Sequence, residues 1–451
     1  MNKFNFIRSI GSIYNTLENK DKIKIIYLFF FIILTFFFEM LSISLVVPIV
    51  SLIFDDNFLN VVKNYSFVPD LIKQLPTSAL LRLSLISIAA IYFLKTLFLI
   101  YFSFWKASFI YGLHQSYAKK LYFNYINQNY LFHLNSNSSN LTKNIVSTQN
   151  FAQNINQISI LLTEIIILLG LLIILLFINF KITFLIFLVT FFISVIFVLF
   201  VSPILSREGK LNVTNLKKFI ENINSSFFAI KEIKIMNREN FFINKFNKNI
   251  KNFSNSEKLQ EFIQSIPRFI MEFFSILLLV ISIFIMIYVE YDRLSIITYL
   301  ALFAAVGFKL IPSINKIIFS IQHLKFYLPV SKFVLNDLAL NRNFEYSNEK
   351  KNNNIYYQDI RIKNLYYQYP RTKKLILKNI NLKIKKYDII GLTGSSGSGK
   401  STLVNCLIGL IKPIKGEIFF GDKSIFENLR SWQKNIGYVP QQVFLTDENM
   451  Y

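Results

Sequence analysis

The sequence predicts two folds in one chain: an all-α six-helix transmembrane domain followed by an α/β domain built on a phosphate-binding loop. Three observations carry this reading. Of the 451 residues, 53% are apolar and 49 are Phe, far from the composition of a soluble globular chain. Six apolar runs, near 25–54, 78–110, 155–178, 182–205, 262–290 and 294–322, are each long enough to cross a bilayer, which takes about 20 residues in a helix. Towards the C-terminal end, Gly394-Ser395-Ser396-Gly397-Ser398-Gly399-Lys400-Ser401-Thr402 stands between an apolar run, 388–393, and a second apolar run, 403–408. That order predicts strand, glycine loop and helix.

Composition closes off several other classes. A formal charge of +23 would suit nucleic acid in a soluble chain, but here the cations gather in loops beside apolar spans and no nucleic-acid recognition module follows them. Nucleic acid is therefore not expected as a partner, whereas membrane lipids are. A single cysteine, Cys406, allows no disulfide framework and no thiolate metal site. His114, His133 and His323 lack ligand spacing, so no protein-built metal centre is expected.

The elements follow in order. Residues 1–24 are polar and basic, with Phe6, Ile7, Ile10, Ile13, Tyr14 and Leu17 at helical spacing, which predicts an amphipathic helix lying on the membrane surface. The membrane domain occupies 25–330 with its six spans. The segment 55–77 between the first two spans fits either a surface helix or a plain loop. The stretches between spans two and three and between spans four and five are long, polar and helical in pattern. Orientation comes from their cations: the second carries Arg207, Lys210, Lys217, Lys218, Lys231, Lys234 and Arg238 among others, while the last short loop carries Arg293. Positive residues stay inside, which places both termini and both long stretches in the cytoplasm. The Asn/Lys/Glu-rich segment from Asn341 to Asn354 is too polar to pack and defines a linker over 331–355. The second domain occupies 356–451.

In that second domain the glycines let backbone N–H groups close around a triphosphate, Lys400 can reach its β and γ phosphates, and the Ser401 hydroxyl is placed to hold Mg²⁺. Upstream, 362–369 and 375–384 alternate as an antiparallel pair of strands; downstream, 436–440 predicts a strand ending on Gln441.

Together these stretches resemble the P-loop ATP-binding cassette of ABC transporters, and six spans with two long cytoplasmic segments ahead of a cassette resemble an ABC exporter half-transporter. The resemblance implies ATP and Mg²⁺ as cofactors. It makes Tyr369 the aromatic that stacks on adenine, with Tyr367 the substitute, and assigns the triphosphate to Gly394 through Thr402. It makes Gln441 the catalytic-site glutamine that reaches Mg²⁺ and the attacking water, with Ser401 the other protein ligand of the metal. It also implies short coupling helices near Asn135–Thr142 and Asn222–Ile230 and a second copy of the chain as partner in a homodimer. One departure from the pattern stands out: the chain stops at Tyr451, before the serine-glycine-glycine-glutamine motif, the acidic strand with its glutamate and the switch histidine. The expectation is a C-terminally truncated cassette that hydrolyses ATP poorly by itself, with ATPase-coupled translocation belonging to the complete protein.

Within the exporters, the stretches 38–48, 266–272 and 309–316 look closest to bacterial lipid-linked-oligosaccharide flippases. Charges deep in apolar spans are costly and mark pathways. Lys95, Arg268 and Lys309 are such cations, expected to line a substrate cavity for a diphosphate headgroup. Pairing with Glu39, Glu164 or Glu272 is the competing reading of the same charges. The function implied is ATP-driven export or flipping of a lipid-linked glycan or related amphipathic substrate across the bacterial inner membrane. Export of peptide or drug cargo, and a non-hydrolysing membrane component, are the alternatives.

Overall fold

The structure, a computed structural model, describes residues 11, 17–44, 77–178, 180–291, 293–339, 358–370, 372 and 374–441. Of the surface helix expected over 1–24, residues 1–10 and 12–16 lie outside the described residues, as does 55–76 of the first external segment. The chain divides into two compact units, one of residues 1–126 and 139–342, the other of 127–138 and 343–451.

The first unit is helical. Its elements are α1 (Asn19–Ser44), α2 (Thr77–Ile126), and then, after the short α3 (Tyr130–Asn135) of the second unit, α4 (Ser138–Val146), α5 (Thr148–Ile178), α6 (Phe180–Phe228), α7 (Ile230–Ile235), α8 (Glu239–Tyr288) and α9 (Arg293–Ala339). Among the described residues, five stretches are long and apolar enough to cross a membrane: Asn19–Ser42, Leu85–Ile126, Ser138–Ile174, Phe187–Phe228 and Glu239–Tyr288. The sixth expected span, 294–322, falls in α9, where the side chains of 293–309 lie outside the described residues. Helices α2 and α8 each have 50 residues, so each is about 75 Å long at a rise of about 1.5 Å per residue. A hydrocarbon core of about 30 Å cannot cover that length. The long polar stretches of the sequence are therefore largely the continued polar ends of membrane helices. Likewise α9 runs on to Ala339, so residues 331–339 of the expected linker are helical.

Helix α1 shows how the bundle is built. Leu28, Ile32, Thr35, Glu39 and Ser42 are buried and recur every three or four residues, while Ile26, Phe30, Ile33 and Phe37 on the other side are exposed. One stripe packs on α2 and α5, and the apolar remainder is left for lipid. The antiparallel pair α5 and α9 is held in register by polar rungs. Asn154 Nδ2 donates to Ser331 Oγ at 2.9 Å, Ser320 Oγ to Gln157 Oε1 at 3.0 Å, and Lys316 Nζ to Glu164 Oε1 at 2.6 Å. A further rung joins α4 to α9, where Asn144 Nδ2 donates to Asp337 Oδ2 at 2.5 Å and Tyr125 of α2 donates to the same oxygen. Each such bond contributes about 0.6 kcal/mol in a membrane, so the rungs fix register more than they add stability.

The second unit holds β1 (Ile360–Tyr367), β2 (Leu377–Ile384), α10 (Lys400–Leu407), β3 (Lys415–Phe420), β4 (Lys423–Ser424) and α11 (Leu429–Gln433). The strands form one antiparallel sheet in the order β2-β1-β3-β4. Strand β1 buries Ile362, Leu365 and Tyr367; the three-residue step from 362 to 365 breaks the alternation at a register shift between Lys363 and Tyr366, where β3 passes very close. Gly416 sits at this crossing with φ 87°, where a Cβ would stand 2.1 Å from Asn364 O. The core is completed by Leu403 and Cys406 of α10, Ile411, Ile418, Ile425 and Trp432, whose Nε1 donates to Leu407 O at 2.8 Å.

Two expected strands do not form. Residues 388–393 and 436–440 carry no strand pairing, Ile389 is 100% exposed, and Ile390, Leu392, Tyr438 and Val439 are exposed as well. An apolar run becomes a central strand only where neighbours take up its N–H and C=O groups, and the described residues supply none here.

Of the two short helices expected, the first is matched over 138–142 by α4 (Ser138–Val146), with α3 a turn ahead of it, and the second stands about a turn further along the chain. For α3, the Asn129 side chain accepts the Phe132 N–H at 2.9 Å and so starts the helix at Tyr130, ahead of Asn135–Thr142; Ser136 is already extended. Tyr130 and Leu131 pack on the core cluster of the second unit. In the other long stretch, α6 continues through 222–228 and the short α7 follows at Ile230–Ile235.

Candidate nucleotide-binding site and the membrane cations

The phosphate loop is made by glycines in conformations that other residues resist. Gly394, Gly397 and Gly399 have φ of 152°, 79° and 96°. Gly399 is also confined, since a Cβ there would lie 3.1 Å from Ile376 Cγ2 and 3.3 Å from Ile376 O. It is the N-cap of α10 and offers no side chain to the first turn, so the leading N–H groups of the helix are not capped from within the loop. Lys400 Nζ lies 2.7 Å from Gly394 O and 2.9 Å from Ser395 O, which closes the loop into a ring. Residues Ser395, Ser396, Gly397 and Ser398 are exposed, as is Ser401; Thr402 is buried.

This arrangement fits a triphosphate: a concave turn of N–H groups, an uncapped helix N-terminus and a lysine at its rim. The exposed Ser401 hydroxyl, one residue into the helix, fits a Mg²⁺ ligand that shares the metal with phosphate oxygens. Among the described residues no three His, Cys, Asp or Glu side chains gather as metal ligands.

Tyr369 is brought to the loop. Its hydroxyl lies 3.3 Å from Thr402 Oγ1 and its ring stands edge-on to Tyr367 at 5.0 Å and 89°. It is half-buried. Tyr367, the substitute, is only 2% exposed, its hydroxyl has no hydrogen-bond partner, and burial pushes its phenol up to about 12. A residue so enclosed has no ring face to offer a base, so Tyr369 is the better placed of the two. Gln441 is exposed at the end of the described residues. Cys406 lies on the inner face of α10, where burial raises its thiol to about 12. At the end of α10 the chain turns through Gly409, φ 74°; Gly409 N–H bonds Cys406 O at 3.1 Å and Leu410 N–H bonds Asn405 O at 2.9 Å, the paired bonds of a glycine-terminated helix.

In the membrane unit, the three sequence-selected cations differ. Lys95 Nζ donates to Glu39 Oε2 and to Ser42 Oγ, both at 2.9 Å, with all three side chains buried. Arg268 of α8 is exposed. Lys309 belongs to α9, but its side chain lies outside the described residues. A pair of charges missed by sequence reasoning lies nearby: Lys106 and Lys316 line one cavity. Lys106 meets the same criterion as Lys95, a cation within an apolar run, and could have been found by it.

Comparison with known proteins follows this division of the chain. Residues 15–309 match the family model for the ABC transporter transmembrane region, and residues 377–450 match a second family model, for the ABC transporter. The methionine import ATP-binding protein MetN of Francisella tularensis is 39% identical over 85 residues, 18% of this chain and 24% of that protein. The human cholesterol transporter ABCA5 is 44% identical over 73 residues, 16% of this chain and 4% of that protein. This chain thus spans about a quarter or less of the length of these two relatives. A solved structure of a bacterial Atm1-family ABC exporter with ATP bound superposes with a TM-score of 0.68 at 14% identity, over 94% of this chain and 72% of that one, a likeness of fold. The chain belongs to the ABC transporter family: its transmembrane region is followed in the same chain by a second ABC transporter match, and its fold is like that of the Atm1-family exporter.

Proposed function

We propose that the whole protein is an ATP-driven exporter that moves a lipid-linked glycan, or a related amphipathic substrate, across the bacterial plasma membrane with both termini in the cytoplasm. ATP with Mg²⁺ supplies the free energy when bound. Lys400 and the N–H groups of Gly394 through Thr402 would hold the phosphates, Ser401 the metal, and Tyr369 the adenine; Gln441 would reach the metal and the attacking water.

Arg268 carries the cargo reading. It is an exposed guanidinium at the start of the apolar half of α8, and no carboxylate lies within 4 Å of it among the described residues. A planar donor fork of this kind matches phosphate oxygens, whereas Lys95 is already committed to Glu39 and Ser42. The test is ATPase stimulation in proteoliposomes. Polyprenyl-diphosphate oligosaccharide should stimulate the wild type and lose its effect in Arg268→Ala while stimulation by a hydrophobic drug survives. Equal loss of both, or of neither, would favour peptide or drug cargo.

A second copy of the chain is the expected partner. Phe227, Phe228, Ile230, Ile235 and Met236, around the α6–α7 junction, form an exposed apolar cluster suited to a protein surface. Phe228→Asp should shift the purified protein from dimer to monomer by light scattering, and an unchanged dimer would remove α7 from the interface.

A further inference from the structure

Helices α1, α2, α5 and α9 enclose a partly open cavity of about 460 Å³ inside the membrane unit. On α2 its wall is one helical face, Leu99 with Phe102, Ser103 and Lys106 at three, four and seven residues beyond it. Two lysines and two glutamates line it: Lys106, Lys316, Glu39 and Glu164. The charges do not cancel. Glu39 is held by Lys95 from behind the wall at 2.9 Å, and Glu164 is held by Lys316 at 2.6 Å. That leaves Lys106, whose ammonium lies 5.7 Å from the Phe102 ring centroid and has no carboxylate within 4 Å among the described residues. Lys316 is bound to Glu164 at one side only, with 58% of its side chain still exposed.

A cation in a low-dielectric wall is costly when the carboxylate whose charge reaches it, here Glu164, is already ion-paired to another lysine, and chains retain such groups for a ligand. We propose that this cavity binds the anionic headgroup of an amphiphile, a phosphate ester or carboxylate on an apolar tail, with Lys106 as its principal counter-charge and Lys316 as the second donor. The apolar remainder of the lining, Leu99, Phe102 and Phe319, suits the start of the tail. The site is separate from Arg268 and stands whether or not the exported cargo is a glycan.

The test is native mass spectrometry of the delipidated full chain titrated with dioleoyl phosphatidylglycerol and dioleoyl phosphatidylcholine, with no nucleotide present, so that its outcome is independent of export. The wild type should prefer the anionic lipid by about tenfold, the scale of one charge-assisted hydrogen bond. Lys106→Gln should bring the two lipids within about twofold. Glu164→Gln, which frees Lys316, should raise affinity for phosphatidylglycerol and leave phosphatidylcholine unchanged. A merely structural role for these charges would move both lipids together. An undiminished preference in Lys106→Gln overturns the proposal, as does a loss of phosphatidylglycerol binding in Glu164→Gln. Competition by inorganic phosphate at concentrations equal to the lipid would overturn the requirement for a tail.

Discussion

Replacing Lys95 by Met tests whether that cation is structural. Lys95 Nζ sits 2.9 Å from Glu39 Oε2 and 2.9 Å from Ser42 Oγ, Ser42 in turn donates to Glu39 O at 2.9 Å, and the Tyr92 ring covers the ammonium at 5.0 Å. At an effective dielectric constant near 20, two unit charges at that separation attract by about 6 kcal/mol. Desolvation of both groups offsets most of this, so the net worth of the pair is small. The cost of removing one partner is larger, about 3–5 kcal/mol, because a buried charge loses its close counter-charge. Melting can be followed through Trp105 of α2, which stacks on Phe109 and lies 5.1 Å from Phe31 of α1, in a Trp432→Phe background. Lys95→Met and Glu39→Leu should each lower the midpoint by on the order of 5–10 °C, and the double variant should recover most of the loss. A single Lys95→Met that melts with the wild type would refute the structural role. If that variant also lost cargo-stimulated ATPase, Lys95 would stand as a cargo ligand.

Two further outcomes concern the cassette. Gly399→Ala places a Cβ at φ 96° and within 3.1–3.3 Å of Ile376 and Leu377, so strain of about 1–2 kcal/mol should weaken ATP binding measured by equilibrium dialysis, and Lys400→Ala should weaken it further; unchanged affinity in both would remove this loop as the phosphate site. Cys406 should resist maleimide at pH 8 in the folded cassette and react on unfolding, since burial raises its thiol to about 12. Because the folded-state value lies above the usual 8.5, the linked stability is fully present below about pH 8.5 and is lost as pH rises towards 12; a chemical-denaturation midpoint that is flat from pH 8 to 11 in wild type and Cys406→Ala alike would contradict this.

What the sequence makes legible is what local chemistry decides. The glycine loop and its lysine depend on neighbours in the chain, and the α1 stripe is the periodicity of a single element. Partners across the fold are another matter. Glu39 and Lys95 lie 56 positions apart, and nothing in either run says that one carboxylate of the available three faces that cation. The runs 388–393 and 436–440 have the composition of buried strands, yet a strand exists only with a partner, and composition cannot supply one. The start of α3 is likewise set by one residue. Asn129 captures the Phe132 N–H and thereby decides where α3 begins, a signal that averaged hydropathy does not contain.

Gly209 shows the limit from the opposite side. In sequence it is a lone glycine in a polar helical run, where propensity alone says that alanine would add about 1 kcal/mol of stability. In the structure α6 passes α9 there so closely that a Cβ would stand 2.0 Å from Phe326 O and 2.8 Å from Phe326 C, both backbone atoms that no rotamer change can move. The two helices would have to separate, in a place where Leu205, Ile263 and Phe326 form a buried cluster. Overpacking of that kind costs about 1–3 kcal/mol or more and should exceed the propensity gain. Gly112 of α2 provides the control, because it has nothing within 4 Å of its Cβ position. Gly112→Ala should therefore melt at or slightly above the wild type, and Gly209→Ala below it, in the same Trp105 assay. Should both variants gain, helix propensity rather than the α6–α9 contact would govern position 209, and the close crossing would carry no weight in the stability of the membrane unit.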